Sequence, residues 1–225
     1  MQKRIVDFLF ASGLLLVLWP ILVVASLLIK LDSPGPVFFS QKRIGRGSKL
    51  FRIWKLRTMR KGSEGPGYTL GADSRVTRVG RWLRWYKVDE LPQLWNIVVG
   101  DMSLVGPRPV LPELTEGFEQ AYLPLLRVLP GLTDPATLKY CREEENLSLV
   151  ANQDLYMKTV IIPDKVRLSA SYLERATLRS DLWVLVETAL ALAPVERRPR
   201  LMGAGLPGRS KGARPLFPGR EEAEG

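Results

Sequence analysis

The 225-residue chain contains no histidine. That removes Ser-His-Asp triads, histidine general bases and the usual zinc sites together. It has a single cysteine, Cys141, so no internal disulfide can form, which fits a reducing compartment. Nothing in the sequence around Cys141 would lower its pKa, and it reads as a bystander rather than a nucleophile. Acid–base and nucleophilic chemistry is left to Asp, Glu, Lys, Ser, Thr or Tyr, with a hard metal such as magnesium as the natural helper. Acidic residues are also in short supply: 33 Lys and Arg face 23 Asp and Glu, a formal net charge of +10. From Ala193 onward there are seven Lys/Arg and four Glu, so the tail holds +3 and the body +7. A basic body suits phosphate groups, nucleic acid or an anionic membrane surface. No internal repeat is visible. The length fits one domain with appendages, large enough to bury a real core.

Charge is nearly absent from Ile5 to Ile29, where Asp7 is the sole ionisable residue. As a helix this run measures about 37 Å, enough to cross a bilayer. It is too long for a secretory signal, and no small-x-small cleavage site follows it. Pro20 sits in its middle and would kink or break the helix. Lys3 and Arg4 precede the run and Lys30 follows it, so the positive-inside rule pulls both ends to the same side. A re-entrant helix–break–helix hairpin over residues 1–30 satisfies both features. A straight span and a buried soluble helix are the alternatives.

Beyond it, Ser33-Pro34-Gly35-Pro36 is a turn. Val37–Ser40 and Lys49–Leu56 read as two strands joined by a basic, Gly-containing turn. Lys42, Arg43, Arg46, Lys55 and Arg57 would give this hairpin a cationic surface, either for phosphates or as a solvated face beside acidic lipid. Lys61–Asp73 reads as a loop. Arg75, Arg78, Arg81, Arg84 and Lys87 then recur every third residue with Trp82, Trp85 and Tyr86 interleaved, a pattern for a membrane interface. Nucleic acid is the other reading of arginine with aromatics, but no binding motif for it appears.

Lys87–Pro109, KVDELPQLWNIVVGDMSLVGPRP, is the stretch around which the chain is organised. Asp89 is read as the start of a helix, where its side chain can accept orphan N–H groups and the helix dipole keeps it ionised. Pro92 fits a first helical turn and Gly100 a helix stop. Taken alone, Asp89 and Glu90 would be a cap and its solvated neighbour. Further on, Val110–Glu119 and Gln120–Val128 look helical, and Leu149–Ser180 helical with an interruption at Pro163. Asp181 can cap a final apolar helix. From residue 193 the chain is Pro-, Gly- and Arg-rich and is expected to be disordered.

Taken in order, KRIVDF, the proline-broken apolar segment, FFSQKRIGRGSKLFRIWKLRTM, VDELPQLWNIVVGDMSLVGPRP and PGLT resemble the monotopic phosphoglycosyl transferases, or bacterial sugar transferase family. The resemblance runs from about residue 3 to residue 192. It implies a mainly α fold with a small β-hairpin: a re-entrant membrane helix-break-helix at 1–30, a compact interfacial catalytic domain at 31–192 and a tail at 193–225. It implies transfer of a sugar phosphate from a UDP-sugar to a polyprenyl (undecaprenyl) phosphate, with release of UMP, at the cytoplasmic face of a bacterial membrane. This would be the first membrane step of glycoconjugate synthesis. Asp89 would be the nucleophile, forming an aspartyl phosphosugar, and Glu90 would hold Mg²⁺. Arg108, fixed between Pro107 and Pro109, would grip phosphate bidentately, with Lys55, Arg57, Arg84 and Lys87 as further phosphate ligands. Membrane lipids are implied partners, nucleic acid is not, and a homo-oligomer is compatible with the sequence. The pattern departs from the family at Trp19, where serine often precedes the membrane proline. It departs again at Asp134-Pro135-Ala136-Thr137, where many members read Gly-Trp-Ala-Gln, and at Ser169, near which some have Asp. A non-enzymatic basic protein of the membrane surface or of nucleic acid is the competing reading.

Overall fold

The computed structural model describes residues 2–62, 73–115, 118–141, 143, 147, 150 and 152–192. The expected disorder of the tail lies outside these, as does most of the expected loop at 61–73. Helices dominate, with two small sheets.

Helix α1 (Gln2–Asp32) is long and apolar enough to cross a membrane. It continues through Pro20 instead of breaking there, even though proline supplies no N–H to the preceding turn. The cause lies in its packing. Ala11, Leu15 and Leu18 join one core with Ile53, Leu94 and Ile97, and Leu22, Ala25 and Ile29 join another with Leu56 and Leu83. The steps between these positions are three or four residues, so they form one continuous stripe. The body supports the helix on both sides of the proline. Its other faces are exposed and apolar.

Strands β1 (Phe38–Ile44) and β2 (Leu50–Leu56) form the expected hairpin, antiparallel from Phe38↔Leu56 to Ile44↔Leu50. Helix α2 (Arg78–Trp85) carries the arginine–tryptophan pattern and is capped by Thr77, whose side chain accepts from the Gly80 N–H. Helix α3 (Gln93–Val99) stops at Gly100, which is left-handed at φ 102°. Strands β3 (Ser103–Val105) and β4 (Gly131–Thr133) pair in parallel, which the sequence reading did not anticipate.

Between them the chain is less helical than expected. Among the described residues there, a 3-10 turn at Pro112–Leu114, the short α4 (Glu119–Tyr122) and a second 3-10 turn at Leu125–Arg127 form, with Pro112 and Pro124 resetting the backbone. Helix α5 (Pro135–Lys139) is capped by Asp134. Helix α6 (Gln153–Tyr156) passes through a π-helical turn, Met157–Ile161, into α7 (Ile162–Leu173), so Pro163 lies in the first turn of α7. The final helix α8 (Leu178–Leu192) is not capped by Asp181. Thr177 and Ser180 do that reciprocally, Thr177 Oγ1 accepting from the Ser180 N–H at 3.1 Å and Ser180 Oγ from the Thr177 N–H at 2.9 Å. Asp181 is buried and pairs with Lys3 and Tyr172 instead, fastening the start of α1 to α8.

Candidate active site

The dyad lies in a 3-10 turn, Val88–Glu90, opened by Lys87 in left-handed backbone at φ 55°. This places Asp89 inside the turn, four residues before α3 begins, so it caps nothing: Pro92 occupies the N-cap position. Asp89 is 6% exposed, and its Oδ1 has no hydrogen-bond partner among the described residues. Glu90 is the opposite case. Arg108 grips it bidentately, Nη1 to Oε2 at 2.7 Å and Nη2 to Oε1 at 2.6 Å. Lys55 Nζ adds a bond to Oε1 at 2.8 Å.

The two adjacent carboxylates are therefore driven apart. Burial pushes Asp89 up to about 6, with the Glu90 charge adding to the shift and Lys55, Lys87 and Arg84 opposing it. Burial also disfavours a charged Glu90, but Arg108 and Lys55 outweigh it and hold the group well below the usual carboxylate range. The Arg108 guanidinium, half-buried, is held above its ordinary value by Glu90 despite the desolvation that opposes it. One carboxylate is a locked anion. The other is buried, unpaired and close to neutral pH, the state of a group kept for reaction.

Three devices position these groups. Asn96, 1% exposed, staples α3 to β2: its Oδ1 accepts from the Trp54 N–H at 3.1 Å and its Nδ2 donates to the Arg52 carbonyl at 2.7 Å. The amide thus occupies the free edge of β2 and fixes the dyad against Lys55. The β3–β4 pair aims Arg108, whose Nη1 also donates to the Leu132 carbonyl at 2.7 Å. That pair closes tightly because Gly131 has no side chain; a Cβ there would lie 2.1 Å from the Gly106 nitrogen. Finally, Arg4 donates to the Ile97 and Val98 carbonyls, and buried Asp7 accepts from Ser103 Oγ at 2.8 Å and the Leu104 N–H at 3.1 Å. The start of α1 thereby holds both α3 and β3.

Of the residues singled out from the sequence, Asp89, Glu90, Lys55 and Arg108 come together, with the charges of Lys87 and Arg84 acting on Asp89. Arg84 Nε also donates to Thr58 Oγ1 at 2.9 Å. Arg57 is put to a different use from the phosphate contact expected of it. It is buried, donating to the carbonyls of Ile29, Ser33 and Pro34, where it closes the end of α1. Pro20 lies within α1.

Two more residues belong to this region, Arg43 of the expected cationic hairpin and Gln93, which was missed. Arg43 donates to Gln41 Oε1 at 2.8 Å and the Pro109 carbonyl at 3.3 Å. Burial, then the charge of Arg108, lower its pKa to about 10. The Glu90 and Glu113 charges oppose that lowering. Gln93, the other, is 1% exposed. Arg43 was read as part of the basic turn of the cationic hairpin, whereas it lies in β1, and Gln93 was legible only as the polar residue one turn beyond the dyad.

Among the described residues no group of three acidic or thiol side chains could hold an ion by itself. Glu90 Oε1 accepts from both Lys55 and Arg108, whereas Oε2 accepts from Arg108 alone, leaving one lone pair. This fits Mg²⁺ in the manner of an ion that takes one or two carboxylates and most of its ligands from phosphate and water.

The chain matches the bacterial sugar transferase family over residues 1–194. An undecaprenyl-phosphate glucose phosphotransferase of Komagataeibacter xylinus is 38% identical over 183 residues, 77% of this chain and 34% of the relative. A UDP-N-acetylgalactosamine-undecaprenyl-phosphate N-acetylgalactosaminephosphotransferase of Aeromonas hydrophila is 38% identical over 161 residues, 68% of this chain and 38% of the relative. A UDP-glucose:undecaprenyl-phosphate glucose-1-phosphate transferase of Caulobacter vibrioides is 36% identical over 197 residues, 85% of this chain and 70% of the relative. The chain thus spans little more than a third of the first two relatives. The three names share an acceptor; two name glucose and one N-acetylgalactosamine as the sugar.

Proposed function

The chain belongs to the bacterial sugar transferase family, and from that premise we propose that it moves a sugar phosphate from a UDP-sugar to undecaprenyl phosphate. The reaction would proceed on the cytoplasmic face of the bacterial membrane, as an opening step in building a polysaccharide or other glycoconjugate. The observation that carries this reading is the split dyad: a buried, unpaired Asp89 beside a Glu90 locked by Arg108 and Lys55.

The residues suit a two-step displacement. One oxygen of Asp89 attacks the sugar-bearing phosphorus of the diphosphate. A P–O bond forms to the carboxylate, the P–O bond to the bridging oxygen breaks, and UMP departs with that oxygen and its electron pair. A phosphate oxygen of the lipid then attacks the same phosphorus. The Asp89–phosphorus bond breaks, the carboxylate is restored, and the lipid carries a diphosphate-linked sugar. No proton has to be abstracted from an attacking group in either step, so the chemistry runs without histidine. Arg108, Lys55 and Arg43 supply fixed positive charge where the diphosphate must sit. Arg84 and Lys87 favour the ionised form of Asp89. Glu90, through Oε2, would hold Mg²⁺, which when bound neutralises diphosphate charge.

Re-entrant placement of α1 belongs to the same proposal. Its first turns are bonded to α3, β3 and α8, and its last turn to Arg57 at the end of β2. Both ends therefore rest on one body. The exposed apolar faces of α1 and α8 and the exposed rings of Trp82 and Trp85 are surfaces that lipid would cover. Cysteines placed at Gln2 and Pro36 in a Cys141→Ser background should label from the same side; labelling from opposite sides would exclude re-entrant placement.

The central test is intact-protein mass after mixing the protein with Mg²⁺ and a panel of UDP-sugars, without lipid. A gain equal to one phosphosugar, absent in Asp89→Asn, is the expected result and identifies the donor. UMP release only when lipid phosphate is present, with no adduct, would point to direct transfer.

A further inference from the structure

The β1–β2 hairpin has two faces, because directly opposed residues of an antiparallel pair point the same way and successive ones alternate. The register sets Phe39 opposite Lys55, Gln41 opposite Ile53 and Arg43 opposite Phe51, so these six share one face. It is the inner face. Ile53 is 2% exposed and lies, with Phe51 against it, in the core that includes Leu94 and Ile97. Lys55 reaches Glu90 from this face, and Arg43 is placed to feel the charges of both Glu90 and Arg108. Phe39 is the exception. It stands at the end of the inner face, directly across from the lysine that holds the dyad, yet it is 47% exposed.

The neighbours of this open ring show what would cover it. On its own face they are Lys55 across the pair and Gln41 two residues along, both polar. A ring that met acyl chains would continue an apolar patch. Phe38 makes the contrast. It points the other way, opposite Leu56, which lies in the core shared with Ala25 and Ile29 of α1. A phenyl face set between a cation and an amide suits a planar, polar heterocycle, which stacks through its faces and keeps its edges in polar surroundings.

We propose that Phe39 is the platform on which the uracil of the sugar donor stacks. The inference rests on the reading of the site as one for a UDP-sugar. Lys55 joins the two halves of the donor's seat: its backbone is paired with Phe39 and its ammonium is bonded to Glu90. The nucleotide lies along the hairpin, with its base on Phe39 and its diphosphate at Lys55, Arg43 and Arg108. The stack is the same before and after the P–O bond breaks. It therefore holds donor and UMP alike and does not favour the transition state over the bound donor. Its loss falls on the donor KM and on the affinity for UMP, and kcat keeps its value.

The test uses the full chain purified in detergent and three variants: Phe39→Leu, Phe39→Trp and, as the control on the opposite face, Phe38→Leu. Four quantities are measured: kcat, the KM for the UDP-sugar, the KM for undecaprenyl phosphate and the inhibition constant of UMP. In Phe39→Leu the donor KM and the UMP constant should both rise by about tenfold, with kcat and the lipid KM unchanged. Phe39→Trp should restore both, and Phe38→Leu should alter neither. An unchanged UMP constant in an active Phe39→Leu enzyme overturns the proposal. If the donor KM alone rises, the ring meets the sugar and not the base. If the lipid KM alone rises, it meets the prenyl chain. An equal effect in Phe38→Leu overturns the proposal as well, because the hairpin as a whole would then be responsible. A wild type that releases no UMP with any donor overturns the reading of the site and this proposal with it.

Discussion

Asp89 and Asp164 are two carboxylates in different parts of one body, and the chain treats them in opposite ways. Asp164 stands where α5 meets α7 and accepts from Tyr140 at 2.7 Å, Lys139 at 2.5 Å and Arg167 at 2.5 Å. Burial alone would raise it, but those three bonds bring it down to about 2. Asp89 is the more deeply enclosed, and no described residue donates to its Oδ1. It rises to about 6. The fold has cations enough to neutralise Asp89, and Lys55 and Arg108 stand at the next residue. They are committed to Glu90 instead. Leaving a buried carboxylate unpaired costs stability, and the arrangement is the one the proposed nucleophilic role of Asp89 would need.

The sharpest break in this comparison is Asp89→Asn. It keeps shape and removes the attacking anion. UMP release should fall by about a thousandfold or more, while Tm holds or rises because a buried unpaired charge has gone. A matching loss of Tm and activity would mean that Asp89 is structural, like Asp164.

Next in size is Arg108→Lys. Lysine can keep a charge near Glu90 but cannot make the two parallel bonds. One Glu90 oxygen loses its partner and the phosphate site loses its planar fork. A fall in kcat/KM of about a hundredfold is expected, read as UMP release against donor concentration. An effect of less than about threefold would show that point charge alone suffices.

Arg57→Met tests a place where sequence and structure part. Removing the guanidinium takes its bonds from the Ser33, Pro34 and Ile29 carbonyls, of which Ile29 keeps the Ser33 N–H, so unfolding stability should drop by about 2 kcal/mol. Donor KM should not change. A rise in KM with no loss of Tm would return Arg57 to the phosphate site. Nothing in FRIWKLRTM separates Lys55 from Arg57, since both are cations near the end of one strand. The difference is made by α1, more than twenty residues earlier, whose last carbonyls meet Arg57 but not Lys55. Local pattern was enough for the hairpin, for Gly100 as a helix stop and for the direction of Arg108 between its prolines. It was not enough for β3 and β4, which are three residues each and pair only after the chain has wandered through 25 residues. Nor could it reveal that Asp89 goes uncapped, because that depends on Lys87 entering left-handed backbone.

The smallest effect belongs to Asp164 itself and completes the comparison. Its folded pKa of about 2 lies below the ordinary aspartate value of 3.8. A depressed carboxylate contributes stability that is fully present above the unfolded value and is lost as pH falls through the folded one. The Tm difference between wild type and Asp164→Asn should therefore be full at pH 6 and shrink between about pH 4 and pH 2. Its partners Lys139 and Arg167 are more than half exposed, so solvent screens the contribution. A value of about 1 kcal/mol or less is expected. Activity at neutral pH should be untouched, since the start of α5 stays tied to α7 by the bond from Ser169 to Asp134. If Asp164→Asn instead lowered kcat at constant Tm, the two carboxylates would be coupled. The path would run through Asp134, whose charge also reaches Arg108.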